Sequence, residues 1–231
     1  MKTLVVVGHP DASNSFTQQF FKEGLTGFSD VTWLSVTSDF DVAEHRQLLL
    51  THDRIILQFP LYWYSAPAEL KRWLDLVLGD TFALEPRFVL QGKELGLVVT
   101  AANAASDFGA GRPEHFTMDE LLRPFEALAN RLKMRYLPPI TVHQFIHMPP
   151  ADQQRLLVRY QQYVTSPDFQ TLAGRSAWIQ QQLAAKLPQL TGDDATKAQA
   201  LLTQLQENAD ELDDLQFNLQ MIKNAGDDAN D

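Results

Sequence analysis

The sequence contains no cysteine, which removes disulfides, thiolate metal centres and a cysteine nucleophile together. Long apolar runs are missing too. The most hydrophobic stretches, such as Leu4 to Val7 and Leu97 to Val99, fall far short of the roughly 18 to 20 residues of a membrane-crossing helix, so no membrane span is expected. No small-residue cleavage site follows Met1-Lys2-Thr3, so no secretory leader is expected and a cytoplasmic location is. The chain lacks the patterns G-x-x-x-x-G-K-[ST], G-x-G-x-x-G, H-E-x-x-H and G-x-S-x-G, which excludes the usual phosphate loop, dinucleotide fingerprint, zinc-protease helix and serine-hydrolase elbow. The histidines His9, His45, His52, His115, His143 and His147 show no compact metal spacing. His143 and His147 are enclosed by Pro138-Pro139 and Pro149-Pro150, which leaves little room for a helix to present them together, and no metal site is expected.

Positive charge is also scarce: 19 Lys+Arg face 29 Asp+Glu, a formal net charge of −10. Residues 191–231 hold ten of those acids and two of the bases, so the rest of the chain is near neutral. An acidic balance argues against nucleic acid and anionic lipid as partners, both being polyanions. It does not argue against a small phosphate group held locally.

What is present is a core. The chain of 231 residues is 45% hydrophobic, enough for one large domain or one domain with an appendage. Through the first two-thirds, strand-like and helix-like segments alternate, the pattern of a parallel sheet covered by helices on both faces. The reading gives strands at Leu4–Gly8, Val31–Val36, Arg54–Phe59, Leu95–Thr100 and Met134–Ile140. Helices are read at about Ser15–Thr26, Val42–Leu50, Pro67–Leu78, Thr117–Leu132 and Ala151–Tyr163. Leu4-Val5-Val6-Val7 and Ile55-Ile56-Leu57 are continuously apolar, as strands buried on both faces should be. In the Pro67 helix, Leu70, Trp73, Leu74, Val77 and Leu78 fall on one face, and proline sits at its start.

In an open parallel sheet ligands bind beyond the carboxyl ends of the strands, so three loops carry the search. The first runs from Gly8-His9-Pro10 to Ser15-Phe16-Thr17 at a helix start. Free N–H groups and hydroxyls there would stabilise an anion, although serine and threonine at helix starts are also ordinary caps. The second, Pro60-Leu61-Tyr62-Trp63-Tyr64-Ser65-Ala66-Pro67, spends three large aromatics on a connection. They would stack on a flat heterocycle, or else cover the core or a subunit contact. The third starts at Thr100-Ala101-Ala102-Asn103, where small side chains allow close approach of main chain to a ligand.

The run Phe59-Pro60-Leu61-Tyr62-Trp63-Tyr64-Ser65-Ala66-Pro67-Ala68, followed by Leu70-Lys71-Arg72-Trp73-Leu74-Asp75, resembles the signature of the flavodoxin-like NAD(P)H dehydrogenase (quinone) family. That family includes DT-diaphorase, bacterial drug-activity modulators and ancillary oxidoreductases of potassium-efflux systems. Val7-Gly8-His9-Pro10, Ser15-Phe16-Thr17 and Leu137-Pro138-Pro139 match in order, and the likeness covers roughly residues 1–165. The resemblance implies an α/β fold: a flavodoxin-like, doubly wound, five-stranded parallel sheet of order 2-1-3-4-5, with a C-terminal helical extension. It implies FMN or FAD with its phosphates near His9, Ser15, Phe16 and Thr17. The ring would lie between Pro60, Leu61, Tyr62, Trp63 and Tyr64 on one side and Thr100, Ala101, Ala102 and Asn103 on the other. It further implies a homodimer with NAD(P)H as cosubstrate and a quinone-like acceptor.

Thr100-Ala101-Ala102-Asn103 replaces the Thr-Thr-Gly-Gly-like stretch of relatives, and Phe108 stands near a position where some carry tyrosine. His115 and Tyr64 are the catalytic candidates, and Phe108 is counted with the cofactor-binding residues. The competing readings are a redox- or nicotinamide-sensing regulatory subunit of a partner such as a potassium-efflux system, and a module that has lost flavin.

The segment 166–231 has no counterpart in the resemblance. A helical block is expected from near Leu172, and from Ala198 a heptad runs through Leu201, Leu205, Asn208, Leu212, Leu215, Leu219 and Ile222. It would pack on its own domain or serve as an arm toward a second subunit or another partner. Residues 224–231 are expected to fray.

Overall fold

The computed structural model describes residues 1–84 and 86–227, except for the side chains of 80, 213, 216 and 222–227. The chain divides into two compact units, Met1–Thr165 and Ser166–Asp231. In the first unit the order is β1 (Thr3–Val7), α1 (Phe16–Gly24), β2 (Val31–Ser35), α2 (Val42–Thr51), β3 (Arg54–Pro60), α3 (Ala68–Val77), α4 (Asp80–Ala83), β4 (Glu94–Ala101), α5 (Met118–Arg131), β5 (Arg135–Tyr136), β6 (Ile140–His143) and α6 (Pro150–Thr165). All strand pairs are parallel, in the order β2-β1-β3-β4-β5, with β6 also pairing β4. This is the doubly wound flavodoxin-like arrangement.

The expected fifth strand, Met134–Ile140, is two pieces. β5 pairs with Glu94 and Leu95, and β6 takes up the same neighbour from Val98 to Ala101. Pro138 and Pro139 have no N–H to give the ladder, so pairing lapses there and resumes at Ile140. The resumed strand runs on to His143, beyond the end read from sequence.

Buried strands follow from their composition: β1 and β3 are buried at every position. Alternate residues Leu4, Val6, Ile55, Leu57, Phe59, Leu95, Leu97 and Val99 join Leu49, Leu70, Trp73, Val77, Leu122 and Phe125 in one core, as the two-residue period of a strand requires. On the opposite face α6 packs against α1, with the Tyr160 ring tilted against Phe21, their centroids 4.4 Å apart. Gly96 is needed beneath α6. A Cβ there would sit 2.4 Å from the Tyr163 hydroxyl, which accepts the Leu97 N–H at 3.0 Å.

Arg54 lies fully buried at the amino end of β3, and its guanidinium pairs with Glu94 and donates to the Tyr163 carbonyl. Burial lowers its pKa to about 10, so it stays charged at neutral pH. Glu94 also pairs with Arg135. The pairing ties β3, β4 and β5 together at the edge opposite their carboxyl ends.

In the second unit, α7 (Leu172–Lys186) starts on Thr171, whose hydroxyl accepts the Gly174 N–H at 3.0 Å, and α8 (Gly192–Asp227) follows. Gln180 donates to the Leu205 carbonyl at 3.1 Å, joining the two helices. Among the described residues of α8, Ala198 and Leu202 are buried, with Ala195, Leu205 and Ala209 half-buried. The expected stripe is therefore displaced by one residue at Leu202: Leu201, Leu212, Leu215 and Leu219 are exposed. Small residues on the inner face let the helices approach, and a heptad of leucines does not reveal that preference. Residues 224–227 continue α8, the Ile222 side chain lies outside the described residues, and so do residues 228–231.

Between α2 and α3, Trp73 donates its indole N–H to His45 Nδ1 at 2.9 Å, and His45 stacks on Phe40 at 5.0 Å. Burial holds the His45 pKa below the ordinary 6.5, against the raising effect of Glu44 and Asp41. The unfolded imidazole is the more basic one. Its stabilising contribution is thus whole above 6.5 and disappears as pH falls through the folded value. Urea midpoints measured at about pH 7 and about pH 5 should fall further in the parent than in His45→Gln, which keeps an acceptor for Trp73 but cannot titrate. His9 has the same sign in both proteins.

Candidate active site

Four chain segments leave the sheet at the carboxyl ends of β1, β3, β4 and β6, and main-chain hydrogen bonds hold those after β1, β3 and β6 just past their strands. Gly8 N–H donates to the Gln58 carbonyl at 2.9 Å, Leu61 N–H to Thr100 at 2.8 Å and Gln144 N–H to Ala101 at 2.9 Å. Gly8 has to be glycine. A Cβ there would meet the Leu70 Cβ at 2.4 Å, so α3 can pass this close only to a residue without a side chain.

The β1–α1 loop is organised by Asp11, a residue the sequence reading passed over. Its carboxylate accepts Ser13 Oγ at 3.1 Å, the Asn14 N–H at 3.4 Å and Asn14 Nδ2 at 3.1 and 3.0 Å. These bonds, Asn14's side chain foremost, hold its pKa below the ordinary carboxylate value. Asp11 N–H donates to His9 Nδ1 at 3.0 Å, so the neutral His9 ring carries its proton on Nε2, the nitrogen left to donate outward. Partial burial lowers the His9 pKa, against Asp11 and Glu69. Ser15 caps α1, its Oγ accepting the Gln18 N–H at 3.4 Å, while helix geometry leaves the first-turn N–H groups of Phe16 and Thr17 without intrahelical acceptors. Phe16 is 65% exposed, with its ring 6.0 Å from Phe145.

In the β3–α3 connection, Tyr62 and Ser65 exchange both main-chain hydrogen bonds, at 2.9 and 3.0 Å. Trp63 and Tyr64 form the tip between them, both in the left-handed region with φ of 48° and 63°. This two-residue turn normally selects Asn-Gly. Two bulky residues at positive φ are strained, and such strain concentrates at functional sites. Trp63 is 94% exposed, Tyr64 52% and Tyr62 45%, so the aromatics are surface groups and not core. Pro60 ends β3 and is buried, and Leu61 packs partly buried against the core. The His9 and Tyr62 rings lie 6.5 Å apart, which brings the first two loops together.

Thr100 and Ala101 finish β4, with Ala101 buried, and Ala102 and Asn103 are exposed beyond it. Glu114 is the hub of this part. It accepts the Tyr64 hydroxyl at 2.9 Å and also Asn103 Nδ2, and its carboxylate pushes the Tyr64 pKa up. His143 Nδ1 lies 3.0 Å from the Asn103 carbonyl, and the His143 ring is 5.3 Å from Phe108. Tyr64, Asn103 and Phe108 are thus linked through two residues absent from the sequence reading of the site. Glu114 had one signal, its place beside His115; His143 had been weighed only against His147 as a metal ligand. His115 itself is exposed in the left-handed region, and among the described residues no hydrogen bond joins its ring to Tyr64, Asn103 or His143. Among the described residues no three His, Asp or Glu side chains cluster as a metal would need, and no helix is long and apolar enough to cross a membrane.

Residues 1–164 match the family model described as a flavodoxin-like fold. The chain belongs to this flavodoxin-like family. Its relatives include the uncharacterized NAD(P)H oxidoreductase YrkL of Bacillus subtilis, 38% identical over 170 residues, 71% of this chain and 98% of that protein. The glutathione-regulated potassium-efflux ancillary protein KefG of Escherichia coli is 33% identical, over 62% of this chain and 80% of that protein. Among solved structures, an NADPH-quinone reductase from P. pentosaceus is 54% identical with a TM-score of 0.71, covering 71% of this chain and 98% of that one. General stress protein 14 from Treponema denticola, solved in complex with FMN, is 30% identical with a TM-score of 0.65, covering 71% and 98%. This flavodoxin-like chain is an oxidoreductase.

The Glu114 bridge has a spectroscopic consequence. In an ultraviolet pH titration the tyrosine lost in Tyr64→Phe should ionise above the usual phenol value of about 10. Glu114→Gln should bring that ionisation back down; an unmoved curve would disconnect the two side chains.

Proposed function

We propose that this chain is a flavin-dependent NAD(P)H:quinone oxidoreductase that binds FMN at the carboxyl edge of its sheet and works as a cytoplasmic homodimer. The observation that carries the reading is the strained Trp63-Tyr64 turn, which holds exposed aromatics in a loop whose Tyr62 ring lies 6.5 Å from His9 of the β1–α1 loop. The residues suit a flavin phosphate: first-turn N–H groups of α1, the Ser15 and Thr17 hydroxyls, and His9 Nε2 all offer donors where the helix dipole is positive. Tyr62, Trp63 and Tyr64 offer stacking and edge contacts to a flat ring. Thr100, Ala101, Ala102 and Asn103 offer main-chain N–H groups without a titrating side chain, which suits an edge that gains negative charge. FMN is favoured over FAD by the FMN-bound relative alone.

A flavin bound there would supply the redox chemistry, hydride acceptance from NAD(P)H and two-electron reduction of a quinone that takes up two protons to become the quinol. The protein binds and orients. Glu114 keeps the Tyr64 hydroxyl protonated and fixed in direction, and we assign Tyr64 and His115 to holding protons near the acceptor. Phe108, lacking a hydroxyl, contributes only an apolar wall. Trp63 exposed at 94%, with Phe16, Phe116 and Ile146 also exposed, gives a second copy apolar surface to cover. Residues 1–165 form the flavin-binding domain in this reading, and 166–231 a dimer or partner arm.

Similarity to KefG favours one alternative, a redox- or nicotinamide-sensing subunit of a partner such as a potassium-efflux system. The visible spectrum of the purified protein, followed by NADH or NADPH with menadione, separates them. Flavin bands and rapid nicotinamide oxidation support the enzyme, bound flavin without turnover supports the sensor, and a colourless protein that refuses FMN and FAD defeats both. Replacing Trp63 and Tyr64 by alanine should weaken FMN retention about tenfold or more. The thermal midpoint should barely move, because exposed side chains contribute little to stability.

A further inference from the structure

Three polar side chains are buried in a row where a hydrophobic core would be expected. Gln18, Gln58 and Tyr160 are 1%, 0% and 0% exposed. The Tyr160 hydroxyl donates to Gln58 Oε1 at 2.8 Å, and Gln58 Nε2 donates to Gln18 Oε1 at 2.5 Å. The row then stops: Gln18 Nε2 is buried with no partner. Reversing both amides would move the deficit from an N–H to a carbonyl without curing it. A buried amide left unsatisfied is costly, and this one belongs to the first turn of α1.

Gln58 makes a second attachment. Its carbonyl holds the Gly8 N–H at 2.9 Å, at the entrance of the β1–α1 loop, while its side chain holds Gln18 at the exit. One residue of β3, beside Val7 in the sheet register, thus spans the loop that the flavin reading gives to a phosphate. Tyr160 comes from α6, on the face where that helix packs against α1, so the chain of bonds runs from the far helix to the anion loop.

We propose that Gln58, with its amide oriented by Tyr160, is a positioning residue for phosphate binding: held to Gly8 by its carbonyl and to Gln18 by its side chain, it sets the first turn of α1 against the β1–α1 loop and so aims the first-turn main-chain N–H groups at the phosphate. The proposal deepens the flavin reading and rests on it. No electron or proton transfer is assigned to any of the three residues.

The test compares two ligands that differ only in phosphate. Full-length protein freed of flavin is titrated with FMN and with riboflavin by fluorescence quenching, in the parent, Tyr160→Phe and Gln18→Leu. Expected is a loss of FMN affinity of about tenfold, the scale of misplacing donors to a charged group, with riboflavin affinity changed less than about threefold. Inorganic phosphate should compete with FMN in the parent at lower concentration than in either variant. Equal losses for FMN and riboflavin would mean the row only supports the fold and would overturn the proposal, as would variants with the parent's FMN affinity. Circular dichroism verifies folding, and should Gln18→Leu not fold, Tyr160→Phe, which removes only an oxygen, decides alone. A parent that binds neither ligand sinks the flavin reading itself, a result distinct from any of these.

Discussion

The site depends on main-chain hydrogen bonds that extend the parallel ladder one residue past the strands. Gly8 to Gln58, Leu61 to Thr100 and Gln144 to Ala101 fix where the loops after β1, β3 and β6 leave the sheet. Because the strands are parallel, their carboxyl ends fall on one edge, and loops distant in sequence become neighbours there. A strand slipped by one residue would turn its apolar set onto the wrong face. The register that fills the core is therefore the register that assembles the site.

Polar groups mark the two ends of this sheet. At the amino end buried Arg54 pairs with Glu94, which exposed Arg135 also reaches, and near the carboxyl end buried Gln58 reaches buried Gln18. Helix α6 touches both, through the Tyr163 carbonyl at Arg54 and the Tyr160 hydroxyl at Gln58. Such groups stabilise less than apolar packing would and are damaging when one partner is lost. Their common dependence on α6 makes that helix the strut that fixes the sheet ends relative to α1.

Much of the first unit was legible in the amino-acid order. Apolar runs such as Ile55-Ile56-Leu57 specify buried strands, the Leu70-Trp73-Leu74-Val77 face specifies α3, and the aromatic-proline run pointed to the loop that carries Trp63 and Tyr64. The site was legible in part. His9 and Tyr62 do approach, and Tyr64 and Asn103 do meet, but through Glu114, whose carboxylate looks from sequence like any surface acid. His143 was hidden because Pro138 and Pro139 concealed the strand that delivers it. Asp11 was hidden because a loop carboxylate that ties its own loop has no periodic signature.

The sequence by itself determined the alternation of elements, the two-sided burial of the strands and the spacing of the aromatic turn, since these follow from local pattern and side-chain type. Only the tertiary structure decided which polar groups face one another. The Trp63-Tyr64 strain, the Glu114 bridge, the row from Tyr160 to Gln18 and the buried phase of α8 all depend on distances between segments far apart in the chain, and no local pattern records those distances.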